Sequence, residues 1–503
     1  MEQDALEVLL ITRSIKNTFA PINRVPPDVL SLIPGYRKRD KELIKLTHVC
    51  RSWREIFISR ASLWTFLACK DLDKTNAYIQ RSRKSPLEVR IRREDLEVLL
   101  LVAPHVDRFK ALTLSFDWWT QDVREFIEHL NSAAPLLKKL AINLYNAKIS
   151  DSDSTLFETT LLDGNLSSLR ELRLYGLCTN LPWKNMSNLT SFEFSLARSK
   201  TSITQLLDFF EHAPLLRGIK LSDSFPSVSN APTERLVSLP HLKFFRIYDD
   251  VAHSILLNHL HVPTGASVTL EFRFGPHGFP LPNYLPRSLD NLGNVSRITS
   301  INLDFDFSPF VRLRGPSGNL RMASSTDFLI PRWDGHTLRF LNKFHISSAK
   351  SLAVLRYTTP ADSNTEESAA YQTLLTMNDL RTLTLTICVN LSFILALNPS
   401  HNASNTVLCP KLEKLVLYTE GQGEDSLADE LLEMAKTRAS MGVRLSNIVM
   451  VCWPELISKE KVPDLRNYAA NLEYRLSWKT PRWYAVPGDE VNDDKYRLAS
   501  QRR

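Results

Sequence analysis

The chain has 503 residues, of which 43% are hydrophobic and 23% charged, with a net charge of +7. A single hydrophobic core stops growing near about 250–300 residues, so this length excludes a one-core domain and requires several domains or a repeat array. The composition excludes disorder over most of the chain, and no run reaches the roughly 18 apolar residues of a membrane helix. Residues 1–100 hold 19 Lys and Arg against 13 Asp and Glu, a net +6, and the rest is close to neutral. That distribution disfavours an array built to bind nucleic acid. It fits either an acidic partner for the N-terminal region or a solvated basic surface.

The chain opens Met1-Glu2-Gln3-Asp4, unlike a secretory signal. Cys50, Cys69, Cys178, Cys388, Cys409 and Cys452 are too scattered for a disulfide framework or a zinc site. Reduced thiols in the cytoplasm or nucleus are the expectation, with no membrane partner. Residues 1–21 form a lead-in, whose Leu6, Leu9, Leu10 and Ile15 suit a short amphipathic helix or a frayed start. A helix then opens at Val25-Pro26-Pro27-Asp28, where proline tolerates the first turn and the acid complements the helix dipole. Val29, Leu30, Leu32 and Ile33 give it an apolar face, and Pro34-Gly35 stops it. After the charged loop Arg37 to Lys41, a second helix is predicted from about Glu42 to Phe57. Its apolar positions Leu43, Leu46, Val49, Cys50, Trp53 and Phe57 share one face. Ser62-Leu63-Trp64 forms a third anchor, with Trp64 folding back on the pair.

These residues resemble an F-box. Val25-Pro26-Pro27-Asp28-Val29-Leu30 is similar to its opening. Leu46 to Arg54, followed by Ser62-Leu63-Trp64, is similar to its second half, and the order and spacing resemble fungal F-box proteins in particular. Asp28 stands where the family often has glutamate, and Pro34-Gly35 with the basic loop leaves the length of the first helix open. The resemblance implies docking onto the Skp adaptor, and through it a cullin. Pro26, Pro27, Val29, Leu30, Ile33, Leu46, Val49 and Cys50 are then the implied adaptor contacts, with Trp53 and Trp64 as internal packing. The alternative is a helical cap closing a repeat array. The module spans residues 22–67, with a linker or N-terminal cap of the array at 68–105.

Residues 106–480 carry a recurrent LxxLxL unit. Examples are Leu137-Lys138-Lys139-Leu140-Ala141-Ile142, Leu169 to Leu174 and Leu189 to Phe194. The unit returns at Leu216, Leu242, Ile298, Leu352 (with Leu355 and Tyr357), Leu380, Leu412 and Leu445. Starts mostly about 26–33 residues apart approach the roughly 20–29 of leucine-rich repeats. The expected fold class is therefore α/β, a small N-terminal three-helix F-box followed by a leucine-rich-repeat-like curved solenoid. Positions one, four and six point inward from a short strand, and the intervening residues face outward. An irregular unit near Leu270 is expected to fill one gap in the rhythm, and in a second gap one unit is either hidden or displaced. Residues 305–335 are read as a hairpin insertion projecting from the array, with Phe310 to Arg314 as a strand. Pro360 to Ser368 is a polar loop and residues 481–503 a tail.

No phosphate loop, dinucleotide fingerprint or nucleophile elbow occurs. His253, His259 and His261 lack a carboxylate or cysteine at ligand spacing, so no metal, cofactor or catalytic residue is expected. The expected role is a non-catalytic substrate receptor of a ubiquitin ligase, with a protein scaffold free of ubiquitin chemistry as the alternative. Outward positions carry Arg173, Tyr175, Arg246, Tyr248, Arg356 and Tyr418, and the irregular unit adds Arg273. Tyrosine and arginine dominate interface hot spots, so these residues are the candidate target contacts.

Overall fold

The computed structural model describes residues 2–33, 40–68, 71–92, 96–116, 130, 132–144, 162, 166–175, 186–195, 203–222, 235–248, 253–272, 286, 288–304, 310–324, 338, 341, 343–355, 368–387, 391–402, 405–419, 425–452 and 462–476. It divides into two compact units, one of residues 1–275 and 283–294, the other of 276–282 and 295–503.

The first unit opens with helix α1 (Glu2–Thr18), a 3-10 turn at Pro21–Arg24 and the short helix α2 (Pro27–Leu30). The predicted helix from Glu42 to Phe57 is two helices, α3 (Asp40–Thr47) and α4 (Arg51–Ser59). The last turn of α3 tightens through bonds from the His48 and Val49 amides to Lys45 and Leu46. Arg54 Nε then caps the Thr47 carbonyl at 3.0 Å, and Cys50 is extended, with φ −158°. The helix ends here because this side-chain cap replaces the next intrahelical bond.

A 3-10 turn at Ala61–Trp64 leads to strand β1 (Phe66–Leu67), helix α5 (Leu72–Ser82) and strand β2 (Leu87–Arg92). Asp71 caps α5 by accepting from the Lys74 amide. Helix α6 (Leu96–Val102) follows. The ladder then continues through β3 (Phe109–Phe116), β4 (Lys139–Leu144), β5 (Glu171–Tyr175) and β6 (Ser191–Ser195). Beyond helix α7 (Ile203–His212) come β7 (Gly218–Ser222), the short β8 (Val237–Ser238) and β9 (Phe244–Tyr248). Helix α8 (His253–Asn258), β10 (Leu260–His261) and β11 (Ser267–Phe272) follow, and a 3-10 turn at Leu289–Asn291 lies beyond them. Strands β1 to β7, then β9 and β11, pair in parallel, while β8 pairs with β10 apart from them. The ladder thus begins at Phe66, at the end of the stretch read as the helical module, and β2 lies in the stretch read as linker.

Register follows the LxxLxL spacing. Leu112, Leu140, Leu172, Phe192, Ile219, Phe245 and Val268 stand side by side, as do Leu114, Ile142, Leu174, Phe194, Leu221, Ile247 and Leu270. All are buried. The helix α7 packs on this side, with the Phe209 ring 4.6 Å from that of Phe192. The unit near Leu270 is a true rung of the ladder.

One element of the repeat went unread in the sequence. The amide of position one closes a tight turn onto the carbonyl three residues earlier. It does so from Leu137 to Ala134, Leu216 to Ala213, Leu242 to Leu239 and Leu412 to Cys409. Pro135, Pro214, Pro240 and Pro410 occupy the second position of those turns, where a fixed φ suits the bend. In these four units the motif extends to an apolar residue, a proline, any residue, then LxxLxL, while Leu169 and Leu189 close the same turn onto Leu166 and Met186 with Ser167 and Ser187 in place of proline.

The second unit contains β12 (Ser300–Asp304), β13 (Phe310–Arg314), β14 (Asn319–Ser324), β15 (Ser351–Leu355) and helix α9 (Ala369–Thr376). Strand β16 (Thr382–Ile387), helix α10 (Ser392–Leu397), β17 (Lys414–Thr419) and helix α11 (Asp425–Ser440) follow. Strand β18 (Asn447–Cys452), helix α12 (Val462–Tyr468) and β19 (Asn471–Leu476) end it. The parallel run is β12, β15, β16, β17, β18, β19.

Two expectations are corrected here. The hairpin β13–β14 does not project. It pairs antiparallel with β12 and buries Val311, Leu313, Leu320 and Met322. Its alternating apolar face makes it a continuation of the sheet on the edge of β12 away from β15, and because β12 pairs directly with β15 no rung is missing between Ile298 and Leu352. The unit at Leu352 is also shifted by three residues. Its inward positions are Ala349, Leu352 and Val354, because Leu352 aligns with Ile301 and Leu383. Alanine at position one hid the true start.

Arg438, at the end of α11, has no exposed surface and donates to the carbonyls of Leu408 and Cys409 at 2.8 and 3.0 Å. It ties down a turn where Cys409 takes φ +48°. Burial pushes the Cys409 thiol up to about 12, against a smaller opposing pull from Arg438. Thiolate is the species that alkylates. In the native protein at pH 8, iodoacetamide should modify half-exposed Cys50 and leave Cys409 intact, as read by peptide mass spectrometry. Equal labelling of both would contradict this packing.

Candidate docking surfaces

The module from Pro21 to Trp64 is built around two tryptophans. Trp53 lies against Phe57 and donates its indole N–H to Asn23 Oδ1 at 2.6 Å. Trp64 is fully buried, donates to the Phe57 carbonyl at 2.8 Å and meets Tyr78 edge-on at 4.9 Å. Arg81 of α5 lies over the Trp64 ring, with its guanidinium carbon 4.4 Å from the ring centroid. The module therefore leans on α5 and the first strands of the ladder.

Leu30 is 2% exposed and belongs to this core. Its implied role as a direct adaptor contact is corrected to one beneath the surface, because the short α2 turns Leu30 inward and Val29 outward. Val29, Ile33 and Val49 are 51%, 44% and 56% exposed. Pro26 and Pro27 are exposed too, and Leu46 and Cys50 are half-buried. Leu32 and Ile22 join the exposed set, and neither was among the implied contacts. Pro34 to Arg39 lie outside the described residues. Of the 20 exposed large hydrophobic side chains among the described residues, 12 fall before residue 50, counting those of α1. Apolar surface concentrated this strongly marks an interaction region.

The second surface is the side of the first unit's ladder facing away from its core. Arg173, Tyr175, Arg246 and Tyr248 all lie there. Arg173 shares a row with Glu193, Lys220 and Arg246, and Tyr175 one with Ser195, Ser222 and Tyr248. Tyr418 lies in the second unit, beside Thr386 and Val451. Arg273 and Arg356 lie outside the described residues.

Glu193 organises the first row. It accepts from the Tyr175 hydroxyl and the Lys220 ammonium, and Arg173 Nε stands 3.4 Å away. Burial alone pushes its carboxyl up. The hydrogen bonds from Lys220 and Tyr175, with the charges of Lys220 and Arg173, outweigh that and hold it below the ordinary 4.5. Burial, then the bond to Glu193, pushes the Tyr175 hydroxyl well above its usual value. Because the native carboxyl is depressed, its stabilisation is complete above pH 4.5 and is lost as pH falls through the lower native value. Glu193→Gln should therefore lower the melting temperature at pH 7, by an amount corresponding to about 1–3 kcal/mol. The gap to wild type should close in acid. A constant gap across pH would show that the charge is not what stabilises.

Among the described residues, no group of His, Cys, Asp and Glu could hold a metal ion. His259 is buried and its Nδ1 bonds the Arg235 carbonyl at 2.8 Å, a structural role. No helix of the described residues is long and apolar enough to cross a membrane.

With this geometry in view, residues 22–70 match the F-box-like family, so the helical module is F-box-like. No curated protein sequence matches the chain. Among solved structures, the TLR13–ssRNA13 complex is similar at 14% identity and a TM-score of 0.30, over 73% of this chain. The chain spans about half the length of that structure, 49%. The mixed α/β architecture, N-terminal helices followed by extensive parallel ladders, rests on the strand pairing described above.

Proposed function

We propose that this chain is the substrate-recognition subunit of an SCF-type cullin-RING ubiquitin ligase. The F-box-like module docks the Skp adaptor through Pro26, Pro27, Val29, Ile33, Leu46, Val49 and Cys50, with Ile22 and Leu32 extending the patch. The parallel ladders are irregular leucine-rich repeats, and the outward face holds a target protein. The reading assigns no catalytic group or cofactor to the chain. Its contribution is proximity, raising the effective concentration of target beside the ubiquitin donor. The cytoplasm and nucleus are where such a complex would work.

The observation that carries the reading is the cluster of exposed apolar side chains on an F-box-like module whose tryptophans are already satisfied inside. The test is a pull-down with and without residues 22–67, analysed by mass spectrometry, with iodoacetamide footprinting of Cys50. Adaptor and cullin should be recovered only with the module present, and bound adaptor should protect Cys50. Recovery of neither would favour a scaffold whose module caps the ladder, a role that the packing of Trp64 on Tyr78 would equally serve.

A further inference from the structure

The outward row of the first unit has a period. In ladder order it reads Arg90, Thr113, Ala141, Arg173, Glu193, Lys220, Arg246, Thr269. Arginine recurs at every third strand. The neighbouring row reads Arg92, Ser115, Asn143, Tyr175, Ser195, Ser222, Tyr248, Glu271, so long side chains again stand at the same three strands. Between the long side chains of this second row lie the small polar residues Ser115, Asn143, Ser195 and Ser222.

Strands in a sheet lie about 4.8 Å apart, so three steps separate successive arginines by about 14 Å. An extended chain rises about 3.4 Å per residue, and four residues cover the same distance. Residues four apart also point to one side of an extended chain, since alternation has a period of two. Spacing and direction therefore agree for side chains at i, i+4 and i+8.

The three guanidiniums keep donors to offer. Arg90 has no carboxylate partner among the described residues and stands 5.9 Å from the Phe66 ring centroid. Arg173 approaches Glu193 through Nε, and Arg246 engages Glu271 through Nη2 at 2.6 Å. Between Arg173 and Arg246, Glu193 and Lys220 pair with each other and cancel. The pairs to Glu193 and Glu271 also orient the arginines in advance, which lowers the ordering cost of binding.

We propose that this row is a ruler for an extended acidic segment of the target, running across the strands with carboxylates four residues apart on Arg90, Arg173 and Arg246. The inference rests on the outward face being the target surface. A polynucleotide fits less well. It carries a charge at every nucleotide and would bring phosphates onto Glu193 and Glu271.

The test uses the full chain and fluorescence anisotropy with labelled 13-residue peptides. One carries Glu at positions 3, 7 and 11 in a Ser/Thr/Val background, and the other has the same composition with Glu at 3, 4 and 5. The spaced peptide should bind at least tenfold tighter. Arg90→Ala, Arg173→Ala and Arg246→Ala should each weaken it by about tenfold. Lys139→Ala, in another outward row, should not. Arg90→Glu should be rescued by a peptide bearing Lys at position 3 or 11, which separates direct pairing from loss of fold. Equal binding of the two peptides, an unaffected triple-alanine variant, or tighter binding of oligouridine would each overturn the ruler.

A random peptide library selected on the full chain separates this failure from that of the surface itself. Selected peptides that lose binding to Ser195→Trp yet show no acid spacing would overturn the ruler and keep the face. Peptides indifferent to Ser195→Trp would remove the face as the target surface, and the ruler with it.

Discussion

Val49→Asp abolishes capture of the Skp adaptor while the module and ladders stay folded; that is the expected result with the largest effect on binding. Val49 sits in the break between α3 and α4, more than half exposed, and has no packing role to lose. In a desolvated contact the introduced carboxylate would be an unpaired buried charge, costing about 3–5 kcal/mol. That corresponds to a loss of affinity of roughly a hundredfold to several thousandfold. Val29→Asp, from the other side of the patch, should behave alike. Leu30→Asp should also lose the adaptor, but by unfolding the module, since it places the charge inside the core. Circular dichroism and calorimetry distinguish the two routes. Wild-type affinity in both Val29→Asp and Val49→Asp would end the docking assignment.

Trp64→Ala should produce the largest loss of stability, unfolding the module and loosening α5. Removing a buried tryptophan costs about 3–5 kcal/mol. Here the Phe57 carbonyl also loses its donor, worth about a further 1 kcal/mol. A core of about 50 residues rarely supplies more than about 3–5 kcal/mol, so little stability remains. Trp53→Ala should cost somewhat less, because its ring is not fully enclosed, though its bond to Asn23 is lost as well. The effect is read in the full chain as an early, separate melting step or as hydrogen exchange confined to residues 40–82. A single unshifted transition in Trp64→Ala would contradict the packing.

The two variants differ in how much the sequence revealed about them. Trp53 and Trp64 were legible as core, because tryptophans on the apolar face of short helices have nowhere else to go. Leu30 and Val29 were not separable. Adjacent apolar residues in a four-residue helix carry no periodicity, and only the entry angle set by Pro26 and Pro27 decides which one turns inward. The break after Thr47 was equally hidden. Leu46, Val49, Cys50 and Trp53 keep helical spacing across it, and the side chain of Arg54, from the next helix, caps the end of the first.

The ladders show the same division. Leucines at positions one, four and six were enough to locate most strands and to know which residues face inward. Successive side chains of a strand point to opposite faces, a period of two that no partner strand can change; burial follows it in the first unit, whereas in the second unit Ala353, Thr384, Val416 and Val449 are buried on the other face too. They also placed Arg173, Tyr175, Arg246 and Tyr248 on the outward face. Where small residues take an inward position, as Ala349 does, the count slips by three. The hairpin β13–β14 read as an insertion, because parallel repeats give no reason to expect an antiparallel pair in the sheet.

What the sequence determined by itself is local: the helical module, its two tryptophans and the inward side of each strand follow from side-chain type and spacing along one chain. What only the tertiary structure decided is lateral. That Arg90, Arg173 and Arg246 stand in one row at equal intervals depends on the register between strands separated by tens of residues. Loops of unequal length conceal that register in the sequence. It is set by backbone pairing and by buried side chains stacking rung on rung, neither of which any single segment contains.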